Sequence, residues 1–189
     1  MARLRVGLLG GSFNPAHDGH RHVSLWALRA LRLDQVWWLI SPQNPLKPAA
    51  GMAPLAQRMA SARAAARHPA IRVSDIEDRL GTRYTVDTVA ALCRRHRDID
   101  FVWLMGADIL VQLPRWRRWT DLTRMVPIAV LDRPGYAYAA LAGRAAQRLR
   151  RFRVRNPGDL AQTRPPAWAF LWGRRHTASA TEIRARDRC

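Results

Sequence analysis

Two histidines, two glycines and a serine lie close together near the start of the chain, in the stretch VGLLGGSFNPAHDGHRH. On a helix, His17 and His20 would lie on one face of a single turn, with both imidazoles directed the same way. Gly10 and Gly11 permit a tight turn and leave backbone N–H groups uncovered, and Ser12 adds a hydroxyl. Beside the positive end of a helix dipole, these donors suit an anion. The stretch therefore predicts a phosphate-binding turn.

Two other interpretations of the histidines stay open at the level of sequence. His20 taken alone is typical of a structural residue at a helix cap, and the pair is also compatible with zinc, although no cysteine lies nearby. The glycine spacing matches neither the dinucleotide fingerprint G-x-G-x-x-G nor a Walker loop. Asp18 is the predicted N-cap of the helix that follows. Glycines, a hydroxyl and imidazoles together in one turn favour phosphate over both alternatives.

The only lysine of the chain, Lys47, lies in the proline-rich stretch SPQNPLKPAAGMAP. A loop of this length is usually either functional or disordered, and this one follows a predicted strand. A compact ammonium suits a moving phosphoryl group, so Lys47 is a candidate phosphate ligand. The alternative is a solvated surface lysine.

Three further segments carry groups that could contact a nucleotide or a second substrate. Asp108, which follows Gly106 and a predicted buried strand, could accept ribose hydroxyls or hold a water on magnesium. Tyr84 and Thr85 begin a predicted helix whose N-terminus could bind a carboxylate, or could simply be capped. Trp116, in a basic segment, could stack on an aromatic ring or belong to the core.

The formal net charge is +18, and apart from Lys47 this positive charge comes from arginines. A charge of this size favours anionic partners, and nucleic acid is the first class to consider. The arginines are spread over several segments, such as RWRRW and RLRRFRVR, on predicted helix faces and connections. We therefore interpret them as a solvated basic surface, which favours small anionic ligands and does not call for a nucleic-acid partner.

Short apolar runs alternate with helical patterns along the chain, which predicts an α/β fold built on a doubly wound parallel sheet. The runs are apolar on both faces, so helices should cover both sides of the sheet. In such sheets the ligand lies beyond the carboxyl ends of the strands, where the predicted phosphate turn begins. We predict strands at 3–10, 35–41, 71–77, 99–106, 127–133 and 169–173, and helices near 18–32, 54–68, 85–97, 115–125 and 137–151.

Length and composition limit the remaining classes of protein. A chain of 189 residues fits one domain, 1–189. Its two cysteines, Cys93 and Cys189, form no disulfide framework and suit a reducing compartment, the cytoplasm. No stretch approaches the ~18 uninterrupted apolar residues of a membrane span, and the first residues do not follow the signal-peptide pattern. Interface and core aromatics look alike in sequence, so a homo-oligomer is allowed.

The stretch GGSFNPAHDGH resembles the H-x-G-H signature loop of the nucleotidylyltransferase superfamily, which binds the phosphates of ATP or CTP. Five further stretches resemble those of the bacterial nicotinate-nucleotide adenylyltransferases, in the same order along nearly the whole chain. They are SPQNPLK, RYTVDTV, MGADILVQLPRWRRW, LDRPG and SATEIR. A match to all of them in order is not expected by chance. The resemblance implies a single-domain Rossmann-like fold in which segment 174–189 completes the ATP site.

The resemblance also implies a reaction. Members of this family transfer the adenylyl group of ATP to nicotinate mononucleotide, which gives nicotinate adenine dinucleotide and pyrophosphate in NAD biosynthesis. The implied mechanism is direct in-line attack with no covalent enzyme intermediate, so catalysis rests on positioning and charge stabilisation. Mg²⁺ would arrive with ATP, and no resident metal is implied. The expected partners are ATP and nicotinate mononucleotide, without a membrane.

Roles carry over to the residues that match the family motifs. The implied catalytic residues are His17, His20, Lys47 and Arg184; the ATP-binding residues are Gly10, Gly11, Ser12, Phe13, Gly106, Asp108, Ser179 and Thr181; and the residues that bind nicotinate mononucleotide are Ser12, Lys47, Tyr84, Thr85, Trp116 and Arg133. The chain departs from the family pattern at Ala180, where a second serine is usual, and at Leu46, where histidine is common. Neither departure removes a charged group.

Two rival functions stay open. A related transferase could act on phosphopantetheine or nicotinamide mononucleotide, although RYTVDTV and the GAD…W segment favour an aromatic acid. A protein of another class, an RNA-binding protein, would bind RNA with a steep salt dependence and release no pyrophosphate. Neither an RNP-type strand nor a KH-type loop is visible in the sequence.

Overall fold

The structure, a computed structural model, describes residues 3–42 and 51–173 of the chain. The strands are β1 (Leu4–Gly11), β2 (Gln35–Ile40), β3 (Ile71–Ser74), β4 (Ile99–Gly106), β5 (Ile128–Leu131) and β6 (Trp168–Leu171). They form one six-stranded sheet in the order β3-β2-β1-β4-β5-β6, and every neighbouring pair is parallel. This confirms the predicted fold class.

Helices cover both faces of the sheet. They are α1 (Asp18–Ala30), α2 (Leu55–Ala66), α3 (Ile76–Arg79), α4 (Thr85–Arg95), α5 (Ala107–Gln112), α6 (Trp119–Met125), α7 (Ala137–Ala142) and α8 (Arg144–Leu149), together with short 3₁₀ helices at Leu113–Arg115, Arg150–Phe152 and Pro157–Gln162. In the described part of the chain, no helix combines the length and the apolar character needed to cross a membrane.

Strand β4 lies between two separate hydrophobic cores. Phe101, Trp103 and Met105 pack on one face, in the core that contains the apolar residues of α4. Val102 and Leu104 pack on the other face, with the apolar residues of α1 and α2. Because both faces are buried, the strand reads in sequence as an uninterrupted apolar run.

Most predicted boundaries agree with the structure to within two residues, and three elements differ by more. The strand predicted over 71–77 ends at Ser74, because the Ser74 hydroxyl accepts the Ile76 N–H at 3.2 Å and turns the chain into α3. The helix predicted over 137–151 breaks at Gly143, whose backbone is extended and whose added Cβ would lie 2.8 Å from the Ala139 carbonyl oxygen.

The third difference follows β4. The helix predicted over 115–125 begins only at Trp119, and the unpredicted helix α5 starts immediately after Gly106. Six residues of helix followed by a 3₁₀ turn at Leu113–Arg115 are too short for a clear 3.6-residue periodicity.

Strand β1 is hydrogen-bonded to β2 on one side and to β4 on the other. The chain leaves β1 toward β2 across one face of the sheet and returns from β3 to β4 across the opposite face. The topological switch point of the sheet therefore lies between the carboxyl ends of β1 and β4, at Gly11 and Gly106, where the crevice that binds ligands in doubly wound sheets is expected.

Candidate active site

The phosphate turn begins where β1 ends, and packing explains its glycines. A Cβ on Gly10 would lie 2.6 Å from Cη2 of Trp103, and one on Gly11 would lie 3.3 Å from Cε2 of Phe13. The residue of the turn with a positive φ is Phe13, at 45°. The two glycines are thus needed for close approach of aromatic rings, not for the left-handed backbone that a tight turn often requires.

Helix α1 begins with a capping box built from both histidines. Nδ1 of His17 accepts the Gly19 N–H at 3.1 Å, and Nδ1 of His20 accepts the His17 N–H at 3.2 Å. The predicted N-cap at Asp18 is wrong by one residue, because the imidazole of His17 already takes that role. Asp18 is instead the first helical residue and pairs with Arg67 at 3.6 Å.

These bonds decide which ring nitrogen carries the proton. A ring nitrogen that accepts a backbone N–H cannot itself hold a proton, so in each histidine the proton lies on Nε2. The His17 and His20 rings are 3.9 Å apart between centroids. The turn therefore holds two neighbouring imidazoles, each with its proton on Nε2, and the binding of one phosphate by the pair stays a prediction.

Buried aromatic rings support the His20 ring from behind. Phe13 lies 4.6 Å from the His20 ring and stacks on Trp38 at 5.1 Å between centroids. Trp38 donates its Nε1–H to the Ser24 hydroxyl at 2.7 Å, and that hydroxyl donates to the His20 carbonyl at 2.8 Å. The Phe13 side chain is 2% exposed, so any contact that Phe13 makes with a nucleotide is through its backbone.

Asp108 and Arg133 meet beyond the ends of β4 and β5. Nη1 of Arg133 donates to Oδ2 of Asp108 at 3.2 Å. Oδ1 of Asp108 is buried and has no hydrogen-bond partner among the described residues. A Cβ on Gly106 would overlap Oδ1 of Asp108, so any larger residue here would displace this carboxylate. A buried carboxylate oxygen without a partner is suited to accept a hydrogen bond from a ligand hydroxyl.

The predicted aromatic-acid site lies around the start of α4. Asp87 N–H is the first to bond within the helix, to the Tyr84 carbonyl at 3.0 Å, so the Thr85 N–H lies ahead of the hydrogen-bonded ladder. The Arg117 guanidinium lies 4.6 Å from the centre of the Tyr84 ring, which brings the segment of Trp116 next to this helix end. A helix N-terminus with a cation nearby suits a carboxylate.

Trp103 connects this region with the phosphate turn. Its indole covers Gly10, and it meets the half-buried Trp116 ring edge-on at 6.2 Å between centroids. Trp103 is 2% exposed and therefore belongs to the core. Through Gly10 and Trp116 it packs against residues of both predicted subsites.

Two buried charged residues on helices escaped the sequence analysis, as did Asp132, which directly follows β5 and is 6% exposed. Arg58, on α2, is 2% exposed, and Glu77, on α3, is 7% exposed. The spacing along α2 indicates the burial of Arg58, because Arg58, Ala62 and Ala66 are four residues apart and lie on the same, buried face of the helix. Glu77 gave no such signal, because α3 has a single turn.

Burial raises the pKa of Glu77 to about 7 from 4.5, opposed by a hydrogen bond with the Ser41 side chain. Folded Glu77 thus holds its proton to higher pH than unfolded Glu77, so the stability that it contributes is present below pH 4.5 and lost as pH rises through about 7. We expect Glu77→Gln, an isosteric neutral side chain, to remove this loss. Urea unfolding at pH 5 and pH 8 should show the free energy of unfolding of the wild type falling by about 3 kcal/mol more than that of the variant. Parallel falls in the two proteins would contradict the shift.

Several predicted residues lie outside the described residues. They are Lys47 and the tail residues Ser179, Thr181 and Arg184, with the two departures from the family pattern, Leu46 and Ala180. The structure brings together Gly10, Gly11, Ser12, Phe13, His17 and His20 in one turn, Gly106, Asp108 and Arg133 in a second group, and Tyr84, Thr85 and Trp116 in a third.

Paired imidazole donors at the switch point of a 3-2-1-4-5-6 parallel sheet define a Rossmann-like nucleotidyltransferase. Comparison with known proteins agrees: residues 8–186 match the family described as Cytidylyltransferase-like. A solved structure, the Plasmodium falciparum nicotinic acid mononucleotide adenylyltransferase complexed with NaAD, superposes with a TM-score of 0.74 over 96% of this chain and 83% of that one. At 14% identity, this likeness concerns the fold.

Two curated relatives share far more sequence, and both carry the name "Probable nicotinate-nucleotide adenylyltransferase". The protein of Parvibaculum lavamentivorans is 58% identical over 97% of this chain and 92% of its own length. That of Cereibacter sphaeroides is 54% identical over 97% of this chain and 98% of its own. The chain belongs to the cytidylyltransferase-like family and, within it, to the nicotinate-nucleotide adenylyltransferases, which are enzymes. The resemblance found in the motifs is confirmed.

Proposed function

We propose that this protein transfers the adenylyl group of ATP to nicotinate mononucleotide, with release of pyrophosphate and formation of nicotinate adenine dinucleotide. The observation that carries the proposal is the pair of imidazoles of His17 and His20, whose ring centroids lie 3.9 Å apart just beyond the carboxyl end of β1. The enzyme names of the near-full-length relatives support the same reaction. With two cysteines and no disulfide framework, the cytoplasm is the compartment that we propose.

In this mechanism the phosphate of nicotinate mononucleotide attacks the α-phosphorus of ATP in line, and pyrophosphate leaves. The two imidazoles donate to the phosphate oxygens that gain negative charge, and their rings need no reorganisation because the capping bonds already hold them. The Asp108 Oδ1 accepts a hydroxyl of the nucleotide. Lys47, Ser179, Thr181 and Arg184 complete the phosphate site, the last three from segment 174–189.

The second substrate binds with its carboxylate at the N-terminus of α4. Backbone N–H groups of Thr85 and its neighbour meet the carboxylate, and the Arg117 guanidinium above Tyr84 adds positive charge. Trp116 contributes an aromatic face for the pyridine ring, and Arg133, which bonds with Asp108, is a further contact of this substrate. This arrangement favours an acid over its amide.

The described residues suit a metal ion brought by the nucleotide. Among them, no group of three or more His, Cys, Asp or Glu side chains could hold a metal ion. Asp108 offers one buried carboxylate oxygen, which is enough to accept a hydrogen bond from a water on Mg²⁺. Mg²⁺ bound to the ATP phosphates would neutralise part of their charge.

The first experiment is pyrophosphate release by the purified protein with ATP and Mg²⁺, with nicotinate mononucleotide, nicotinamide mononucleotide and phosphopantetheine in parallel. We expect the acid to react at least about tenfold faster than its amide, because charge-assisted hydrogen bonds to a carboxylate contribute about 1.5–3 kcal/mol. Phosphopantetheine should give only background.

Equal rates with the acid and the amide would contradict the role of the α4 N-terminus. Background rates with all three acceptors, from folded protein, would contradict the proposed reaction. In that case, RNA binding measured across a salt series would test the rival class of function.

A further inference from the structure

Arg58 is a buried cation that forms no ion pair with an acidic side chain among the residues that the structure describes. Its side chain lies on α2, and the residue is 2% exposed. The ion pairs of the described residues do not include it, and burial lowers the pKa of its guanidinium. A buried charge needs full hydrogen bonding to be tolerated, so its partners show what it is for.

All of those partners are backbone carbonyls, and they come from three separate segments. Nη1 donates to Ser12 O at 2.8 Å and to Ser41 O at 2.6 Å, Nη2 donates to Pro42 O at 2.8 Å, and Nε donates to Ala53 O at 2.8 Å. The planar fork of a guanidinium can reach several acceptors at fixed angles at once, which an ammonium cannot.

The three segments adjoin candidate catalytic groups in the sequence. Ser12 lies in the phosphate turn, directly before Phe13 and the capped histidines. Ser41 and Pro42 follow the carboxyl end of β2, and Ala53 precedes α2. In the sequence, Lys47 therefore lies between two segments whose carbonyls accept hydrogen bonds from Arg58.

Other contacts hold the same parts together. Asn14 donates to the Gly51 carbonyl at 2.8 Å and accepts the Ala53 N–H at 3.2 Å, and the Ala16 N–H donates to the Ser61 hydroxyl at 3.2 Å. The Arg58 guanidinium bonds to the same two parts of the chain, at Ser12 and at Ala53.

We propose that Arg58 is a positioning residue for adenylyl transfer: its buried guanidinium fixes the backbone of the phosphate turn against the chain on both sides of Lys47. The reaction in this inference rests on the proposed function. The positioning of the backbone by Arg58 rests on the hydrogen bonds described above. A misplacement of about 1 Å at a reacting centre can lower a rate about 10²-fold. Loss of the Arg58 hydrogen bonds should therefore lower mainly kcat.

The test compares Arg58→Lys and Arg58→Met with Arg63→Met, a matched loss of an exposed arginine from the same helix. We expect Arg58→Lys to fold and to lower kcat, per folded molecule, by about 10–100-fold while KM for both substrates changes less than about threefold. Arg58→Met should lose at least as much. Arg63→Met should match the wild type. If Arg58→Met does not fold, Arg58→Lys alone carries the comparison.

A second readout does not depend on turnover. Amide hydrogen exchange should be faster in Arg58→Lys at residues 12–17 and 51–53, and unchanged in β4, relative to the wild type. A folded Arg58→Lys with wild-type kcat and wild-type exchange at these residues would overturn the positioning role, and so would a uniform loss of protection that follows only a lower Tm. If the wild type releases no pyrophosphate while Arg58→Lys shows faster local exchange, the proposed reaction is wrong. The role of Arg58 in adenylyl transfer is then wrong as well.

Discussion

Replacing His20 with asparagine is expected to lower kcat by about 10²–10³-fold while the protein stays folded, since one preorganised donor to a developing phosphate charge has this effect. The asparagine Oδ1 can take the place of the imidazole Nδ1, which accepts the His17 N–H at 3.2 Å, so the helix cap is kept. The Nε2–H donor is lost. Pyrophosphate release under saturating substrates, with circular dichroism for the fold, measures the effect.

His20→Ala separates the two roles of this side chain. It should lose the same activity and also about 1–2 kcal/mol of stability, because the cap bond and the packing against Phe13 and Trp38 go with the ring. His22→Ala, on the same helix, is the matched control and should keep wild-type turnover. A folded His20→Asn enzyme with a rate close to that of the wild type would refute the phosphate site.

Asp108→Asn is expected to lower kcat/KM for ATP by about 10–100-fold, which corresponds to about 1.5–3 kcal/mol for a hydrogen bond to a charged group. The amide can keep its oxygen toward Arg133, 3.2 Å from Oδ2 in the wild type, and its NH₂ group then replaces the partnerless Oδ1. A donor there cannot accept a nucleotide hydroxyl. Initial rates over a range of ATP concentrations measure the change.

The matched control for Asp108→Asn is Asp34→Asn. Asp34 also pairs with an arginine, Arg5, at 2.9 Å, but that arginine lies at the amino end of β1, at the opposite edge of the sheet. Asp34→Asn should cost some stability and leave kcat/KM for ATP unchanged. If both variants lose kcat/KM equally, the effect of Asp108 is one of stability and its role as an acceptor is wrong.

The sequence alone predicted the six strands and the longer helices in their order along the chain, and the structure confirms them. The place of the site, at the carboxyl ends of the strands, stays a prediction. These features depend on local information: apolar runs mark buried strands, and the ligand of a doubly wound sheet lies at the carboxyl ends. The grouping of His17 with His20, and of Tyr84 with Thr85, likewise follows from positions a few residues apart on helix starts. Short elements such as α3 and α5 were missed because one or two turns carry too little periodicity.

Only the tertiary structure decided how these groups are held and which atoms they present. That Gly10 is needed because Trp103 lies over it, that the histidine protons lie on Nε2, and that Arg58 joins Ser12 to Pro42 all depend on contacts between distant parts of the chain. A residue's type limits the bonds that it can make, but its partners are set by the packing of α1 and α2 against the sheet. The sequence therefore predicts which residues form the proposed site, and the fold determines which contacts hold the described ones in place.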